Sequence, residues 1–589
     1  MNQAILHRGP DQSGFIRINL SSSIVYMGAN RLAITAPDEH GSQPMSTADA
    51  GLHLCFNGEI YNHLSLRPNL RADFKTLTDT ETLLYGLSKQ GLSFISELDG
   101  MFAFICLDQS RSVLTLARDP KGMKPLYFYE DQDFFIASSE IRGILASGFV
   151  KKTFNEKALT HYLLFRYCKA PATFYQNIHE LPSGSMLQWK PETPLNTQSI
   201  PTEPKPVFST YDNIVNETDN LLQKAIQNQL PQYVNAGLLL SGGIDSSLLL
   251  AQLYSLGIKN FPVFSVVTSG RDKNHGTNDA YYAGKATRLY EAEQYVLTLD
   301  QSVINNFHEY VETIDQPVAD AAGWLTWLIS LQARQYVKTV FSGAGADEYF
   351  AGYNRHTAFH HYMKIAPVGT PLLNKLAVFP ETRNIPLRKG FRLLNKLLES
   401  VDNTPLKTWN NFISFTKFKN GFVKKSVFRP EKEDLSFALY NALVHDRDNY
   451  LPYDVLKVTD NASMAAGLEV RLPYLDRQLT SYIQSIPADI LLKNGSKWIL
   501  KTLLKHKGGN ILTQRPKEGF GIPLNKWLLS SSGKPLTSML LNTDNLLYEY
   551  IDHAAVVQLL NDHSHMKKDY SGELYSLIVL SAWMKREFA

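Results

Sequence analysis

The chain has 589 residues, 44% of them hydrophobic, with 59 Lys and Arg against 56 Asp and Glu for a formal net charge of +3. That length supports two or more domains, each with its own core, and the near-balanced charge argues against a polyanionic partner such as nucleic acid. Three cysteines, Cys55, Cys106 and Cys168, show no CxxC spacing and point to a reducing compartment without disulfides or zinc, and no run of about 20 uncharged apolar residues is present to span a bilayer.

In chain order, residues 7–14 read His-Arg-Gly-Pro-Asp-Gln-Ser-Gly, followed by Asn30-Arg31-Leu32-Ala33-Ile34. Short β-type runs at Leu52–Phe56, Met101–Leu107, Val113–Arg118, Leu126–Tyr129 and Phe134–Ser138 are separated by turn residues and predict antiparallel sheets. Cys55 alternates with apolar neighbours in the first of these and reads as core. Asp79–Gly91 predicts a helix among them. Residues 190–206 are rich in Pro and Thr and read as a connection, so the expected division is 1–195, a linker at 196–210, and 211–589. Beyond it, apolar strands at 236–240, 262–267 and 338–342 alternate with amphipathic helices near 214–229, 246–256, 278–290 and 321–337, the βαβ signature of a parallel sheet. Past residue 355 the pattern is mostly helical.

Residues 241–247, Ser-Gly-Gly-Ile-Asp-Ser-Ser, close the strand Ala236-Gly-Leu-Leu-Leu240 and open a helix. Gly242 and Gly243 let the backbone approach an anion with no Cβ in the way, and the helix offers unpaired N–H groups to phosphate. Ser241, Ser246 and Ser247 add hydroxyl donors. Asp245 is out of place beside phosphate unless a cation such as Mg²⁺ lies between them. The pattern lacks the Gly-Lys-Ser/Thr ending of Walker A. Two other features have plainer explanations. The stretch 383–429 holds eleven Lys and Arg against Glu399 and Asp402, with Phe391, Trp409, Phe412, Phe415, Phe418 and Phe422 among them, and reads as solvated lysines over an aromatic core rather than a nucleic-acid surface. His356, His360 and His361 have helical spacing but sit in no zinc motif, and read as an ordinary helix face.

The loop resembles the pyrophosphate loop of ATP pyrophosphatases, which cleave ATP between its α and β phosphates. The N-terminal motifs, with Phe56-Asn57-Gly58-Glu59-Ile60-Tyr61-Asn62 and Thr78-Asp79-Thr80-Glu81, resemble the glutaminase signatures of class II glutamine amidotransferases. In combination, and with Phe341-Ser-Gly-Ala-Gly-Ala-Asp-Glu-Tyr-Phe-Ala-Gly-Tyr353, Asp460–Asp476 and Arg515-Pro-Lys-Glu-Gly-Phe-Gly521, the chain resembles the glutamine-hydrolysing asparagine synthetase family over nearly its whole length. The resemblance implies an α+β N-terminal Ntn-type domain of four αββα layers with antiparallel sheets, then an α/β domain with a parallel sheet and many helices. It implies a cytoplasmic ligase that uses ATP and Mg²⁺, takes glutamine or ammonia as nitrogen source, and converts the aspartate side chain to an amide through an acyl-adenylate. The alternatives are another carboxylate on a sugar or peptide precursor, an adenylating cyclase similar to β-lactam synthetase, and a non-enzymatic remnant. The intact pyrophosphate loop, Asp347 and Lys517 argue against the remnant. A homodimer is compatible with it.

The family's roles carry over residue by residue. Glutamine binding is expected at Arg31, Leu32, Ala33, Ile34 and Thr35, at Asn57, Gly58 and Glu59, and at Asp79. A guanidinium fork suits the substrate α-carboxylate, Asp79 suits the α-ammonium, Glu59 completes the cradle, and Asn57 with the Gly58 N–H suits an oxyanion hole. Asn-Gly on its own is the commonest hairpin turn, so only its company makes it a site. ATP is expected at Leu240, Ser241, Gly242, Gly243, Asp245, Ser246, Val266, Ser342, Gly343 and Lys497. Asp245 and Asp347 are expected to hold the metal, Lys517 to act on the adenylating transition state, and Glu469 with Arg471 to brace the site as a buried pair. Two departures stand out. The family begins Met-Cys-Gly-Ile and supplies its nucleophile there, whereas His7 follows six residues after the start, so the glutaminase half is expected to be truncated and inactive as written. The family's Ser-Gly-Glu-Gly is Ser342-Gly-Ala-Gly345 here, which opens the question of the acceptor and leaves nearby Glu348 as a possible replacement for the lost carboxylate.

Overall fold

A computed structural model describes the chain except for residues 37–38, 202–210, 269–278, 374–397, 416–417, 419–421, 425–433 and 516–520. The N-terminal half is built on alternation. In β5 (Gly100–Asp108), Phe102, Phe104 and Cys106 face one way and Ala103, Ile105 and Leu107 the other. The first set packs on Leu83, Leu84 and Leu87 of the helix Asp79–Gln90, and the second meets Ile18, Met27 and Phe128. A strand covered on both faces forces layers above and below it.

Those layers are three sheets. β1 (Gln12–Asn19) and β2 (Ile24–Arg31) form an antiparallel pair. β3 (Met45–Ser46), β4 (Leu52–Ile60), β5, β6 (Val113–Arg118), β10 (Ser185–Trp189) and β11 (Asn196–Ser199) form a six-stranded sheet in the order β11-β10-β6-β5-β4-β3. β7 (Tyr127–Glu130), β8 (Phe135–Ser138) and β9 (Ile178–Glu180) form a third, ordered β8-β7-β9. Tyr127, Ile136 and Ile178 of this sheet bury against Tyr162 and Leu163 of the helix Glu156–Phe165 and against Trp583 of the C-terminal helix Ser571–Phe588. Helix, sheet, sheet and helix therefore stack as expected. Residues 196–199, read from sequence as the start of the linker, pair instead with Ser185–Gln188 as an edge strand, because a polar Asn-Thr-Gln-Ser run is acceptable where one edge faces water.

The C-terminal half is organised by a five-stranded, all-parallel sheet: β12 (Ala236–Leu239), β13 (Pro262–Thr268), β14 (Glu293–Leu299), β15 (Thr339–Phe341) and β16 (Glu469–Arg471). The order is β14-β13-β12-β15-β16. Leu238, Val263, Phe264, Val340 and Phe341 are buried with Leu248 and Leu249 of the helix Ile244–Ser255, giving the continuous apolar strands a parallel sheet needs. The chain leaves β12 to one side through β13 and β14 and returns to the other through β15. That reversal opens a crevice beyond the carboxyl ends of β12 and β15, where doubly wound sheets bind ligands. Of the aromatic residues of the basic stretch, Trp409, Phe412, Phe418 and Phe422 are buried, Phe415 packs half-buried against the core, and Phe391 lies outside the described residues. Among the described residues no helix is long and apolar enough to cross a membrane.

Candidate active site

At the N-terminal centre, Asn57 and Gly58 lie in the middle of β4, with Gly58 opposite Phe102, so the pair is no hairpin turn. Gly58 has φ +140°, and a Cβ there would come 1.9 Å from the Met101 carbonyl oxygen, so only glycine fits. The Asn57 Nδ2 is buried with no hydrogen-bond partner among the described residues. A buried amide left unmade costs about 1–3 kcal/mol, a cost that a ligand oxygen would remove. Arg31, at the end of β2, donates to Gln12 Oε1 at 2.8 Å and to the carbonyls of Thr35 and Ala36 at 2.6 and 2.7 Å. These bonds curl Leu32–Thr35 around the guanidinium, with Ala33 and Ile34 buried beneath. A cavity of about 620 Å³ lined by Ala36, His40, Arg67, Thr76, Leu77 and Tyr233 opens at this turn.

Asp79 begins the helix Asp79–Gln90, is 4% exposed, and accepts hydrogen bonds from the N–H groups of Ile60 and Thr80 at 3.0 and 2.9 Å. Burial pushes its carboxyl up to about 6, against the pull of those bonds and of Arg31. Thr78 caps the helix by accepting from Glu81 N–H, and Glu81 ties down the loop by accepting from the N–H groups of Lys75 and Thr76 at 2.8 and 2.7 Å. Asp79 thus holds the start of its helix against Ile60 of β4, and Glu81 from the same motif builds the turn before it.

At the crevice of the parallel sheet, Gly242 has φ +69° and Gly243 is the N-terminal cap of the helix Ile244–Ser255. The Ser241 and Ser246 hydroxyls lie 3.2 Å apart. Gly343, just past β15, packs so close that a Cβ on it would sit 2.8 Å from the Asp245 Cβ. Lys497 Nζ bridges the acids of the two loops, 2.6 Å from Asp245 Oδ2 and 2.7 Å from Asp347 Oδ1. Burial draws the Lys497 ammonium down, and the two carboxylates more than reverse that, holding it above its ordinary value. Gly352 makes room for the trio: a Cβ there would fall 2.0 Å from Asp347 Oδ1 and 2.1 Å from Lys497 Cε. Two carboxylates on facing loops are hard oxygen donors of the kind Mg²⁺ takes one or two of beside phosphate oxygens. In donor type the expected metal residues are compatible with Mg²⁺, with Lys497 between them in this structure.

Leu240 and Val266 sit at the ends of β12 and in β13, and the Leu240 N–H donates to the Phe264 carbonyl at 2.8 Å. Ser342 and Gly343 follow β15 directly, and Ala344 donates its N–H to Ser342 Oγ at 3.3 Å. Glu348 is not brought into the crevice. It is 1% exposed, its Oε1 accepts from Tyr353 Oη at 2.7 Å, and burial pushes its carboxyl up to about 7. Lys517 lies outside the described residues.

Two residues without a role from sequence enter here. An added Cβ on Gly243 would meet Arg515 Nη1 at 3.0 Å, so a guanidinium borders the loop. Its sequence signal is the Arg-Pro-Lys-Glu-Gly-Phe motif that it opens. Tyr474 donates from its hydroxyl to the Asp245 carbonyl at 3.0 Å; its signal is the Asp460–Asp476 motif that contains it. The two centres also meet. Arg471 of β16 pairs with Glu59 from β4 and lies 3.4 Å from Glu469 Oε1. Glu469 and Arg471 form the buried pair expected, with Glu59 as a third member.

The model of the asparagine synthase family matches residues 217–585, and that of the glutamine amidotransferase domain matches residues 1–198. Asparagine synthetase (glutamine-hydrolyzing) 1 of Bacillus subtilis is 29% identical, over 99% of this chain and 92% of that protein. A putative asparagine synthetase (glutamine-hydrolyzing) of Mycobacterium tuberculosis is 28% identical, over 98% of this chain and 91% of that protein. Amidase chyE of Penicillium rubens is 26% identical, over 83% of this chain and 78% of that protein.

Proposed function

The chain belongs to the asparagine synthase family, and from that premise we propose that it amidates a carboxylate, with the side chain of aspartate as first acceptor, at the cost of ATP cleaved to AMP and pyrophosphate. The observation that carries this reading is the meeting of two glycine loops and two acids around Lys497 at the reversal of the parallel sheet. A carboxylate oxygen attacks the α-phosphorus, and the bond to the β-phosphate breaks to release pyrophosphate. Ammonia then attacks the acyl carbon, loses a proton, and expels AMP.

The N–H groups after Gly243 and the hydroxyls of Ser241 and Ser246 suit the pyrophosphate, with Lys497 and Arg515 as its cations. Leu240 and Val266 offer adenine apolar surface, and Ser342 and Gly343 suit the α-phosphate. Asp245 and Asp347 would hold Mg²⁺, which when bound neutralises charge on the phosphates. Lys517 is assigned to the adenylating step from its motif alone. Glutamine would lie between Arg31 and Asp79, with its amide carbonyl at Asn57 and Gly58. Burial pushes the thiols of Cys55, Cys106 and Cys168 up to about 12, so none of the three is a thiolate at neutral pH. Free ammonia added in solution would serve as nitrogen donor to the synthetase half, and amide formation with ammonia alone tests that half independently of glutamine hydrolysis.

A second acceptor reading has its own support. Ala344 puts a methyl group where the family's motif has glutamate, and the fungal relatives are called amidases rather than asparagine synthetases. A bulkier carboxylate, on a sugar or peptide precursor, would use that space. Exchange of labelled pyrophosphate into ATP over a panel of carboxylates decides between them. Exchange with aspartate supports the first reading, and exchange with another acid but none with aspartate supports the second. ADP and orthophosphate as products would overturn both. Asp245→Asn should abolish exchange in either case.

A further inference from the structure

A cavity of about 790 Å³ lies between the helices Asn354–Leu373 and Ala488–Leu492 and shares no lining residue with the nucleotide crevice. Its size falls in the range of about 300–1,000 Å³ typical of small-molecule sites. Leu439 and Leu492, both 6% exposed, give it an apolar floor. Lys364 and Lys493 are exposed at its rim, and Lys364 makes no ion pair among the described residues. The acid in the lining, Asp489, lies 3.4 Å from His360 Nδ1. The lining therefore offers apolar surface under a net positive charge.

Both walls of the cavity lead to Lys497. From Leu492 the chain runs through Gly495, at φ +87°, to Lys497, at φ +54°. An added Cβ on Gly495 would meet nothing within 4 Å, so this stretch borders open space. A lysine in the left-handed region keeps that conformation only while its surroundings impose it. Trp498 donates from its indole Nε1 to the Ile490 carbonyl at 2.8 Å, which ties the second wall to the helix Trp498–His506. The first wall starts just after Gly352, the position that makes room for Asp347 and Lys497.

We propose that this cavity is a second binding site, for a small organic anion with an apolar body, and that its occupant acts on the synthetase reaction through Lys497. The second half of the inference rests on the ATP site proposed above. An anion drawn to Lys364 and seated on Leu439 and Leu492 presses on both helices. Their separation turns the loop 493–497 and draws the Lys497 ammonium away from Asp245 and Asp347. Pyrophosphate exchange then slows.

The probe is 8-anilinonaphthalene-1-sulfonate, a sulfonate on an apolar body whose fluorescence rises on binding. It is titrated into the full chain with saturating ATP and Mg²⁺ present, which keep it out of the nucleotide crevice, and binding should saturate. Ala488→Trp fills the cavity from its wall and should abolish that binding. Lys364→Glu changes an exposed side chain, serves if the first variant does not fold, and should weaken binding by about tenfold or more. At saturating probe, exchange by the wild-type chain should slow by about fivefold or more. Lys364→Glu should match the wild type without probe and keep its rate at the same probe concentration. Probe binding unchanged in the variants overturns the site. Binding lost in the variants, with wild-type exchange unaffected by the probe, overturns the action on Lys497 and leaves the site. Exchange with no carboxylate at all overturns the nucleotide reading and that action with it, while the fluorescence titration still decides the site.

Discussion

Asp79 shows how one buried side chain can give a binding site a pH profile. It must be ionised to hold an ammonium, yet burial pushes its carboxyl up to about 6. Glutamine affinity should accordingly fall as pH drops through about 6, the direction in which the carboxylate takes up a proton. Asp79→Asn should weaken binding at neutral pH by about tenfold or more and flatten the profile. Titrations between pH 5 and 8 check both, and a profile left unchanged by the substitution would remove Asp79 from the site. The same shift acts on stability with a definite sign. The folded protein binds this proton more tightly than the unfolded chain does, so the contribution favours folding at low pH and is lost as pH rises from the ordinary carboxylate range through about 6. Lys497 is the opposite case, a cation held between two anions. Lys497→Met leaves Asp245 and Asp347 facing each other and removes a charge from the phosphates. Pyrophosphate exchange should drop by about a hundredfold or more, equivalent to about 2.7 kcal/mol or more of transition-state stabilisation. An exchange rate within a few fold of wild type would show that the ammonium plays no part in the reaction.

At the scale of elements, the parallel sheet turns two loops into one site, and the close approach of those loops is set by glycine. A Cβ on Gly343 would sit 2.8 Å from the Asp245 Cβ and 3.2 Å from the Ser246 N–H nitrogen. Gly343→Ala should push the Ser342 loop off the start of the helix Ile244–Ser255 and cost exchange activity about a hundredfold, while circular dichroism and the unfolding midpoint stay near wild type. Full activity in that variant would show that the loops need no such proximity. These elements were legible in sequence to very different degrees. The strands β12, β13 and β15 and the helix after Gly243 announce themselves as apolar runs with a glycine turn, because strands buried on both faces have no polar residues to blur them. β14 did not, since at the sheet edge it mixes exposed and half-buried positions in Glu-Gln-Tyr-Val-Leu-Thr-Leu, with only Leu299 buried. β16 hides for another reason: its three residues are Glu-Val-Arg, and a buried pair of charges around one valine makes no apolar run that would mark a strand. For the site, Arg31, Asp79, Asp245 and Asp347 stood out by residue type and company. The bridging position of Lys497 and the approach of Arg515 to Gly243 are contacts across hundreds of residues that no local pattern encodes.

At the scale of the molecule, the two halves are held together by buried ions. Arg8 bonds Glu140 at 3.0 Å and Asp460 at 2.8 Å, and Lys124 adds a second cation to Asp460 at 3.1 Å, all four side chains being buried. Burial alone would raise the Glu140 carboxyl, but the His7 hydrogen bond and the Arg8 charge hold it down at about 2. Its contribution to stability is therefore present above the ordinary carboxylate range and lost as pH falls from there toward about 2. Arg8 lies in the His-Arg-Gly-Pro-Asp motif and Asp460 opens the Asp460–Asp476 motif, so two stretches quoted for their resemblance meet as structure rather than as chemistry. Removing one partner of a buried ionic group strands the others, at a cost of about 3–5 kcal/mol. Arg8→Met should therefore lower the denaturation midpoint by that amount of free energy, and the loss should grow less as pH is taken down through the Glu140 transition. The pair between Lys152 and Glu587 provides the contrast. It is as short, at 2.8 Å, but Lys152 is 45% exposed, and an exposed pair contributes about 1 kcal/mol or less. Lys152→Ala should leave the midpoint almost unmoved. Equal effects from the two substitutions would mean that contact distance rather than burial sets the strength of these links, and the junction would then owe its stability to apolar packing alone.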